Sequence, residues 1–256
     1  MKDISFLRII KYIDDRFEEK EDLVANERSI NIFVNGDPYI TLMCTPLDLH
    51  ELATGFLFSQ GLIKSFDEIK SIKSTSGGNV FIYTKDKVSI DLKERRVLTS
   101  GCLTSGITLS SLDYIGLSEL TDDFKIKASE ILPKMKVFNK LSEIFIKTGG
   151  VHSAALAIED EDLIFYEDVA RHNAIDKIIG NAIINKRDLK RAIILTSGRI
   201  SSEIAIKVAK LKIPVLVSHS AATDLAVKIA KEVNLTMIGF ARGNRMNIYS
   251  GEYRII

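Results

Sequence analysis

Residues 192–202 read Ala192-Ile193-Ile194-Leu195-Thr196-Ser197-Gly198-Arg199-Ile200-Ser201-Ser202, a short apolar run that stops at a polar loop containing glycine. Two later segments repeat the scheme. Val215-Leu216-Val217 gives way to Ser218-His219-Ser220, and Met237-Ile238-Gly239-Phe240 to Ala241-Arg242-Gly243-Asn244-Arg245. Between them, residues 202–211 and 224–233 carry apolar side chains at helical spacing, with Ser201, Ser202 and Thr223 as candidate caps. Strands that are apolar throughout, separated by amphipathic helices, predict a largely parallel sheet covered on both faces. Upstream, 153–158 and 163–166 read as strands and 173–184 as a helix with Ile175, Ile178, Ile179 and Ala182 on its apolar stripe. Residues 133–147 fit one helix, ended by Gly149-Gly150, and a last strand falls near 247–249. From about Leu132 onward the chain therefore predicts a three-layer α/β domain.

The first half is patterned differently. Residues 29–35 and 39–43 are β-rich and flank Asn35-Gly36-Asp37-Pro38, a turn signal. Thr45-Pro46-Leu47-Asp48 suits a helix start, with Thr45 as cap, Pro46 in the first turn and Asp48 closing a capping box. Leu49, Leu52, Ala53, Phe56 and Leu57 then share one helical face. Residues 80–83 and 88–92 suggest a hairpin around Lys85-Asp86-Lys87, and a Ser/Thr/Gly-rich loop follows Arg95-Arg96. The expected organisation is an N-terminal α+β subdomain over 1–128 and the α/β domain over 129–256.

Composition bounds the function. The 256 residues are 46% hydrophobic and 27% charged, with a formal net charge of +1, so no global field draws nucleic acid or an anionic membrane and any anion site must be local. The start of the chain lacks the apolar core of a signal peptide, and the longest uncharged stretch, residues 97–112, is too short and too polar to span a bilayer. Only two cysteines occur, Cys44 and Cys102, which is no disulfide framework and suits a reducing cytoplasm.

In α/β sheets, ligands gather where strand carboxyl ends lead into helix N-termini. Ser197-Gly198-Arg199, Ser218-His219-Ser220, Phe240 through Arg245, and the stretch Glu167-Asp168-Val169-Ala170-Arg171-His172-Asn173 all have that placement. Glycine permits close backbone approach, helix N–H groups attract anions, and arginine grips phosphate in bidentate fashion. Arg171, Arg199, Arg242 and Arg245 together can hold a ligand that bears pyrophosphate. Singly, each segment also reads as ordinary turn and cap chemistry; four in one domain favour a phosphate site. Thr148-Gly149-Gly150-Val151-His152 is a fifth candidate, open between a helix C-cap followed by a core histidine and a site segment. His172, in a polar loop beside Arg171 and Asn173, favours a site, and Asp168 and Asp176 suit either orienting or capping roles.

Cys102 lies in Ser100-Gly101-Cys102-Leu103-Thr104-Ser105-Gly106, an uncharged, glycine-flanked segment in which a thiol is accessible to a partner enzyme. A lone loop cysteine can equally be incidental. Cys44, at a strand end, reads as a small buried hydrophobe.

These residues resemble a known family. Asn35-Gly36, Met43-Cys44-Thr45-Pro46-Leu47-Asp48-Leu49 and Glu51-Leu52-Ala53-Thr54-Gly55-Phe56-Leu57 are similar to the opening signature of the FdhD/NarQ family of formate dehydrogenase accessory sulfurtransferases. Thr148-Gly149-Gly150-Val151-His152-Ser153-Ala154-Ala155, Glu167-Asp168-Val169 with Arg171-His172-Asn173-Ala174 and Asp176-Lys177, Ser197-Gly198-Arg199-Ile200-Ser201, Ser218-His219-Ser220-Ala221 and Gly239-Phe240-Ala241-Arg242 continue it in order. The resemblance implies a cytidine deaminase-like main domain and a homodimer. It also implies a sulfur carrier that takes sulfur from a cysteine desulfurase as a persulfide on Cys102. That sulfur would pass to the bis-molybdopterin guanine dinucleotide form of the molybdenum cofactor before its insertion into formate dehydrogenase. The expected cofactor-binding residues are Phe240, Ala241, Arg242, Gly243, Asn244 and Arg245, joined by Arg171, His172, Ser197, Gly198, Arg199, Ser218, Gly149, Gly150 and His152.

Three positions depart from the family pattern: Ser105 replaces the second cysteine of a Cys-x-x-Cys pair, Ala170 a glycine, and Ala222 a proline. The first excludes a relay between two loop cysteines and opens an alternative, a cofactor-binding chaperone in which Cys102 is dispensable. Zinc deaminase chemistry is not expected, because His152-Ser153-Ala154 lacks the glutamate and no cysteine pair exists to complete a metal site.

Overall fold

The computed structural model describes residues 3–86, 96–98, 117–159 and 161–256. The stretch 88–92 and the segment bearing Cys102 lie outside the described residues.

Strand runs predicted around Asn35-Gly36 form as expected: β3 (Arg28–Val34) and β4 (Asp37–Cys44) are antiparallel, with Asn35 and Gly36 at φ 54° and 94° in the turn. Two consecutive left-handed residues match the twist of paired strands. β5 (Ile69–Ser74), β6 (Asn79–Thr84) and β7 (Arg96–Leu98) complete a five-stranded sheet in the order β5-β6-β3-β4-β7. Residues 80–83 are thus a strand, paired with β5 and β3. One helix, α1 (Leu49–Ser59), covers this sheet and packs Leu52, Ala53, Phe56 and Leu57 against Ile30, Ile32, Val80 and Ile82. Its start differs from expectation. Asp48 precedes it in the left-handed region at φ 53° without a side-chain cap, Pro46 lies outside the helix, and the Thr45 hydroxyl instead accepts from the Val169 N–H at 3.1 Å. A tertiary partner outcompeted the local cap. Cys44 is fully buried at the end of β4, and burial pushes its thiol up to about 12.

The sequence pattern missed an N-terminal hairpin. β1 (Ile4–Ile13) and β2 (Arg16–Ala25) pair antiparallel over ten residues each, Ile4 opposite Ala25 and Ile13 opposite Arg16. Asp14 and Asp15 make the left-handed turn, and their mixed apolar and charged flanks gave no strict alternation.

The larger sheet has six strands in the order β13-β12-β11-β10-β8-β9. These are β8 (His152–Ile158), β9 (Ile164–Asp168), β10 (Ala192–Thr196), β11 (Val215–Ser218), β12 (Thr236–Arg242) and β13 (Arg245–Ser250). Only the β10-β11-β12 centre is parallel; β8, β9 and β13 pair antiparallel, so the sheet is mixed rather than largely parallel. Short connections at 159–163 and 243–244 force hairpins where a parallel neighbour would need a crossover. One face carries α4 (Arg171–Ile184), α5 (Ser202–Lys210) and α6 (Asp224–Glu232), through Ile175, Ile178, Ile204, Val208 and Ile229. The other carries α2 (Ala128–Lys140), through Ile131, Met135 and Phe138. Leu120 packs into the first of these cores, and Phe124 and Ile126 into the second.

The single helix expected over 133–147 is two. α2 starts five residues before Pro133 and ends at Lys140, and α3 (Glu143–Thr148) follows. The buried Glu167 carboxylate breaks the run: it accepts from Ser142 Oγ at 2.7 Å and from the Ile144 and Phe145 N–H groups at 3.0 Å, which caps a fresh helix start. Gly149 ends α3 at φ 66°, as anticipated.

The two sheets are joined helix to helix. α1 crosses α4 at Gly55 and Gly180, where a Cβ on Gly55 would lie 1.8 Å from the Asp176 carbonyl oxygen and one on Gly180 would lie 1.9 Å from that of Glu51. Only hydrogen fits there. Beside the crossing, buried Asp176 accepts from Lys207 Nζ at 2.6 Å and Ser59 Oγ at 2.7 Å.

Candidate functional site

The strand directions bring the carboxyl ends of β9, β10, β11 and β12 to one edge of the sheet, together with the first residues of β8 and β13. Every segment singled out in the larger domain lies along that edge.

At the β9 end, Asp168 is fully buried. It accepts from the Ala170 N–H at 3.0 Å and from Asn173 Nδ2 at 2.9 Å, and Lys177 Nζ lies 2.9 Å away. Burial raises its carboxyl pKa against the pull of Lys177. The acid thus fixes the turn into α4 and with it Arg171 and His172. Asn173 Nδ2 also donates to the Met43 carbonyl, tying the turn to β4. Ala170 sits at φ −111°, ordinary extended backbone, so alanine costs nothing there. His172 is buried, its Nε2 3.0 Å from Glu203.

At the β10 end, Gly198 gives Arg171 its path: a Cβ there would lie 2.8 Å from the Arg171 Cβ. Ser197 Oγ accepts from the Ser153 N–H at 2.9 Å and lies 3.4 Å from His152 Nδ1. Arg199 is exposed. At the β11 end, Ser218 is buried, with Oγ donating to the Gly198 carbonyl at 2.6 Å and accepting from the Ser220 N–H at 2.9 Å. Both its hydrogen-bonding roles are used to brace the two loops. At the β12 end, Phe240 adopts φ 51°, rare for a bulky residue, within a bulge before Arg242. The Arg242 guanidinium sits 5.6 Å from the Phe240 ring centroid, Ala241 points into the core, and Gly243, Asn244 and Arg245 are exposed.

Beside this edge a cavity of about 540 Å³ is lined by Gly149, Gly150, His152, Ser197 and His219, which lie in segments the sequence nominated, and by Phe138, Asn139, Ser142 and Phe145, which do not. The α2 and α3 residues were missed because the break at Ser142 depends on Glu167, 25 residues away. A run of serine after apolar residues carries no such signal. Arg171, Gly198, Arg199, Ser218 and residues 240–245 stand along the same edge outside this lining.

The field at the site is positive. Burial, then the charges of Arg171, His172 and Arg199, hold His152 below its ordinary pKa; burial and Arg242 do the same to His219. His172 is also lowered, by burial above all, against the opposing hydrogen bond to Glu203 and with smaller contributions from Lys207 and Arg171. The unfolded chain therefore takes up protons first as pH falls below the ordinary value of 6.5. Stability contributed by the neutral histidines is complete above that value and declines below it. Urea unfolding at pH 7.5, 6.5 and 5.5 should show stability falling as the pH drops below the ordinary histidine value, with a shallower fall in His172→Gln. An equal slope in that variant would contradict the assignment.

Among the described residues no group of three or more histidine, cysteine or acidic side chains is placed to hold a metal ion. No helix among them is long and apolar enough to cross a membrane. Fold and site together define a mixed α/β protein whose arginine-flanked, histidine-lined cavity opens at the carboxyl edge of its larger sheet.

Comparison with known proteins gives that class its family. The FdhD/NarQ family profile matches residues 25–256, and the chain belongs to that family. Relatives named sulfur carrier protein FdhD include one from Wolinella succinogenes, 36% identical and covering 96% of this chain and 88% of its own. Those from Geobacillus kaustophilus (97% and 95% covered) and Bacillus subtilis (96% and 95%) are 37% and 35% identical. A crystallised chain from Desulfotalea psychrophila, named as a formate dehydrogenase accessory protein, superposes with a TM-score of 0.81 over 99% of both chains at 24% identity, a likeness of fold.

Proposed function

We propose that this chain is a sulfur carrier serving formate dehydrogenase, as the names of its relatives indicate. The Cys102 thiolate takes the outer sulfur of the persulfide on a cysteine desulfurase and releases that enzyme's thiolate. The sulfur then passes to the bis-molybdopterin guanine dinucleotide cofactor, which is the substrate; the S–S bond breaks to release the Cys102 thiolate, while a thiol reductant supplies the two electrons that make the transferred sulfur sulfide. The protein acts in the cytoplasm as a homodimer, with the larger sheet as a cytidine deaminase-like layer system. The observation that carries the reading is a cavity of about 540 Å³, roomy enough for one nucleotide end of that ligand, beside the sheet edge along which Arg171, Arg199 and Arg242 stand. The guanidinium groups match its pyrophosphates, and His152, Ser197 and Asn139 offer hydrogen bonds to a base or ribose. The chain contributes proximity: it binds the pterin nucleotide and brings a thiolate leaving group to it.

Two measurements test this. After incubation with a cysteine desulfurase and cysteine, intact-mass spectrometry should show one added sulfur atom, removed by thiol reductant and mapped to Cys102; a persulfide elsewhere, or none, refutes the carrier role. Binding of GDP, followed by calorimetry, should weaken at least about tenfold in Arg242→Ala or Arg245→Ala, the loss of one charge-assisted contact. Unchanged affinity would remove residues 240–245 from the site.

A further inference from the structure

The α1–α4 crossing at Gly55 and Gly180 fixes a point of contact between the two sheets, but not the angle about it. Asn173 stands about two turns before Gly180 on α4, about 10 Å along the helix axis, at the edge that carries the arginines. It is buried and spends both hydrogens of its side-chain amide: one goes to Asp168 Oδ1 and the other to the Met43 carbonyl, each at 2.9 Å. Beside it the Val169 N–H donates to the Thr45 hydroxyl. Met43 and Thr45 stand at the end of β4 in the smaller sheet, Asp168 and Val169 at the end of β9 in the larger. These bonds therefore lock the angle that the crossing leaves open.

β7 is placed by the same strand. It runs parallel to β4 with Leu98 opposite Leu42, so both strands run toward the turn where β9 enters α4. Cys102 follows Leu98 by four positions in sequence. We propose that Asn173, supported by Thr45, is a positioning residue for sulfur delivery: it sets the angle between the β4–β7 pair, which the Cys102 stretch follows in the chain, and the edge bearing Arg171, Arg199 and Arg242. The proposal rests on the carrier reading above and adds the residues that register donor against acceptor. Transfer depends steeply on alignment, since a displacement of about 1 Å can cost about a hundredfold in rate. Loading the thiol and binding the nucleotide make no such demand, because each engages one side of the junction alone. The bonding pattern explains the residue type. Both partners of the amide are acceptors; aspartate would meet them with a third acceptor, and alanine would take the donor from the Met43 carbonyl.

The test compares the full-length protein with Asn173→Ala, with Thr45→Val, which reaches the junction from the other sheet, and with Asn31→Ala as control. The control removes side-chain bonds to Asn79 and Thr41 inside the smaller sheet, away from the junction. Each protein is measured for sulfur gained on Cys102 from a cysteine desulfurase, by intact mass, and for GDP affinity, by calorimetry. Delivery is read as formate dehydrogenase activity restored in a strain lacking the protein, per amount of folded chain. Thr45→Val should load sulfur and bind GDP as wild type does, yet deliver at least about tenfold less. Asn173→Ala should lose delivery at least about tenfold beyond any change in its GDP affinity. Asn31→Ala should match wild type in all three. If one junction variant does not fold, the other decides. Delivery at the wild-type level overturns the proposal. So does a loss matched by an equal loss of loading or of GDP affinity, or an equal loss in the control, since each marks general damage rather than misalignment. A wild type that gains no sulfur on Cys102 fails the carrier reading itself, before any variant is compared, and the proposal falls with it.

Discussion

Gly180→Ala is expected to cost about 3 kcal/mol or more of stability, at the upper end of what overpacking a tight interior does. The new Cβ would sit 1.9 Å from the Glu51 carbonyl oxygen and 2.6 Å from its carbon, and both are backbone. A side chain can rotate aside, but a helical carbonyl cannot move without disturbing the hydrogen bonds of its own turn. The reciprocal position offers no relief, since a Cβ on Gly55 would meet the Asp176 carbonyl at 1.8 Å. α1 and α4 must part, and the buried contacts of Asp176 with Ser59 and Lys207 beside the crossing are strained with them. The fall should appear in the urea midpoint, with Gly77→Ala, whose Cβ has only the Thr75 hydroxyl at 3.8 Å, as the neutral control. A Gly180→Ala midpoint equal to wild type would show that the helices are not in contact at the backbone.

Cys102→Ala is expected to abolish sulfur delivery: formate dehydrogenase activity in a strain carrying the variant should equal that of a strain lacking the protein, with GDP affinity retained. The reason is atomic. A persulfide's outer sulfur needs a thiolate behind it as the leaving group, and no second thiol is available to substitute. Ser105 stands at the nearby position, and Cys44 is fully buried with its pKa pushed up to about 12, so almost none of it is thiolate at neutral pH. Cys44→Ala should accordingly leave delivery intact. Full activity in Cys102→Ala would refute the carrier role and favour a cofactor-binding chaperone.

What the sequence made legible was local. Apolar runs at 192–195, 215–217 and 237–239 are strands because their residues are buried on both sides, and their polar ends form the site edge because strand direction places them there. The Asn35-Gly36 turn and the Gly149 cap depend on left-handed backbone, which composition announces. What stayed hidden depends on partners distant in sequence. Thr45 looks like a helix cap until the Val169 N–H claims it, and Ser142 looks like mid-helix until Glu167 arrives. Ser218 has the form of a ligand contact, yet its hydroxyl is spent between Gly198 and Ser220. The α2–α3 wall of the cavity was invisible for the same reason. The β1–β2 hairpin escaped because its aromatic and charged residues share faces, so no period-two pattern marked it.

The glycine pair at the α1–α4 crossing also limits how this gene can be shuffled. A chimera assembled from two relatives with its junction anywhere between Gln60 and Ala170 would inherit one groove from each parent. Unless both parents kept hydrogen at their matching positions, the halves would be expressed yet never seat. Exchanges that carry both helices together, or neither, should yield soluble hybrids.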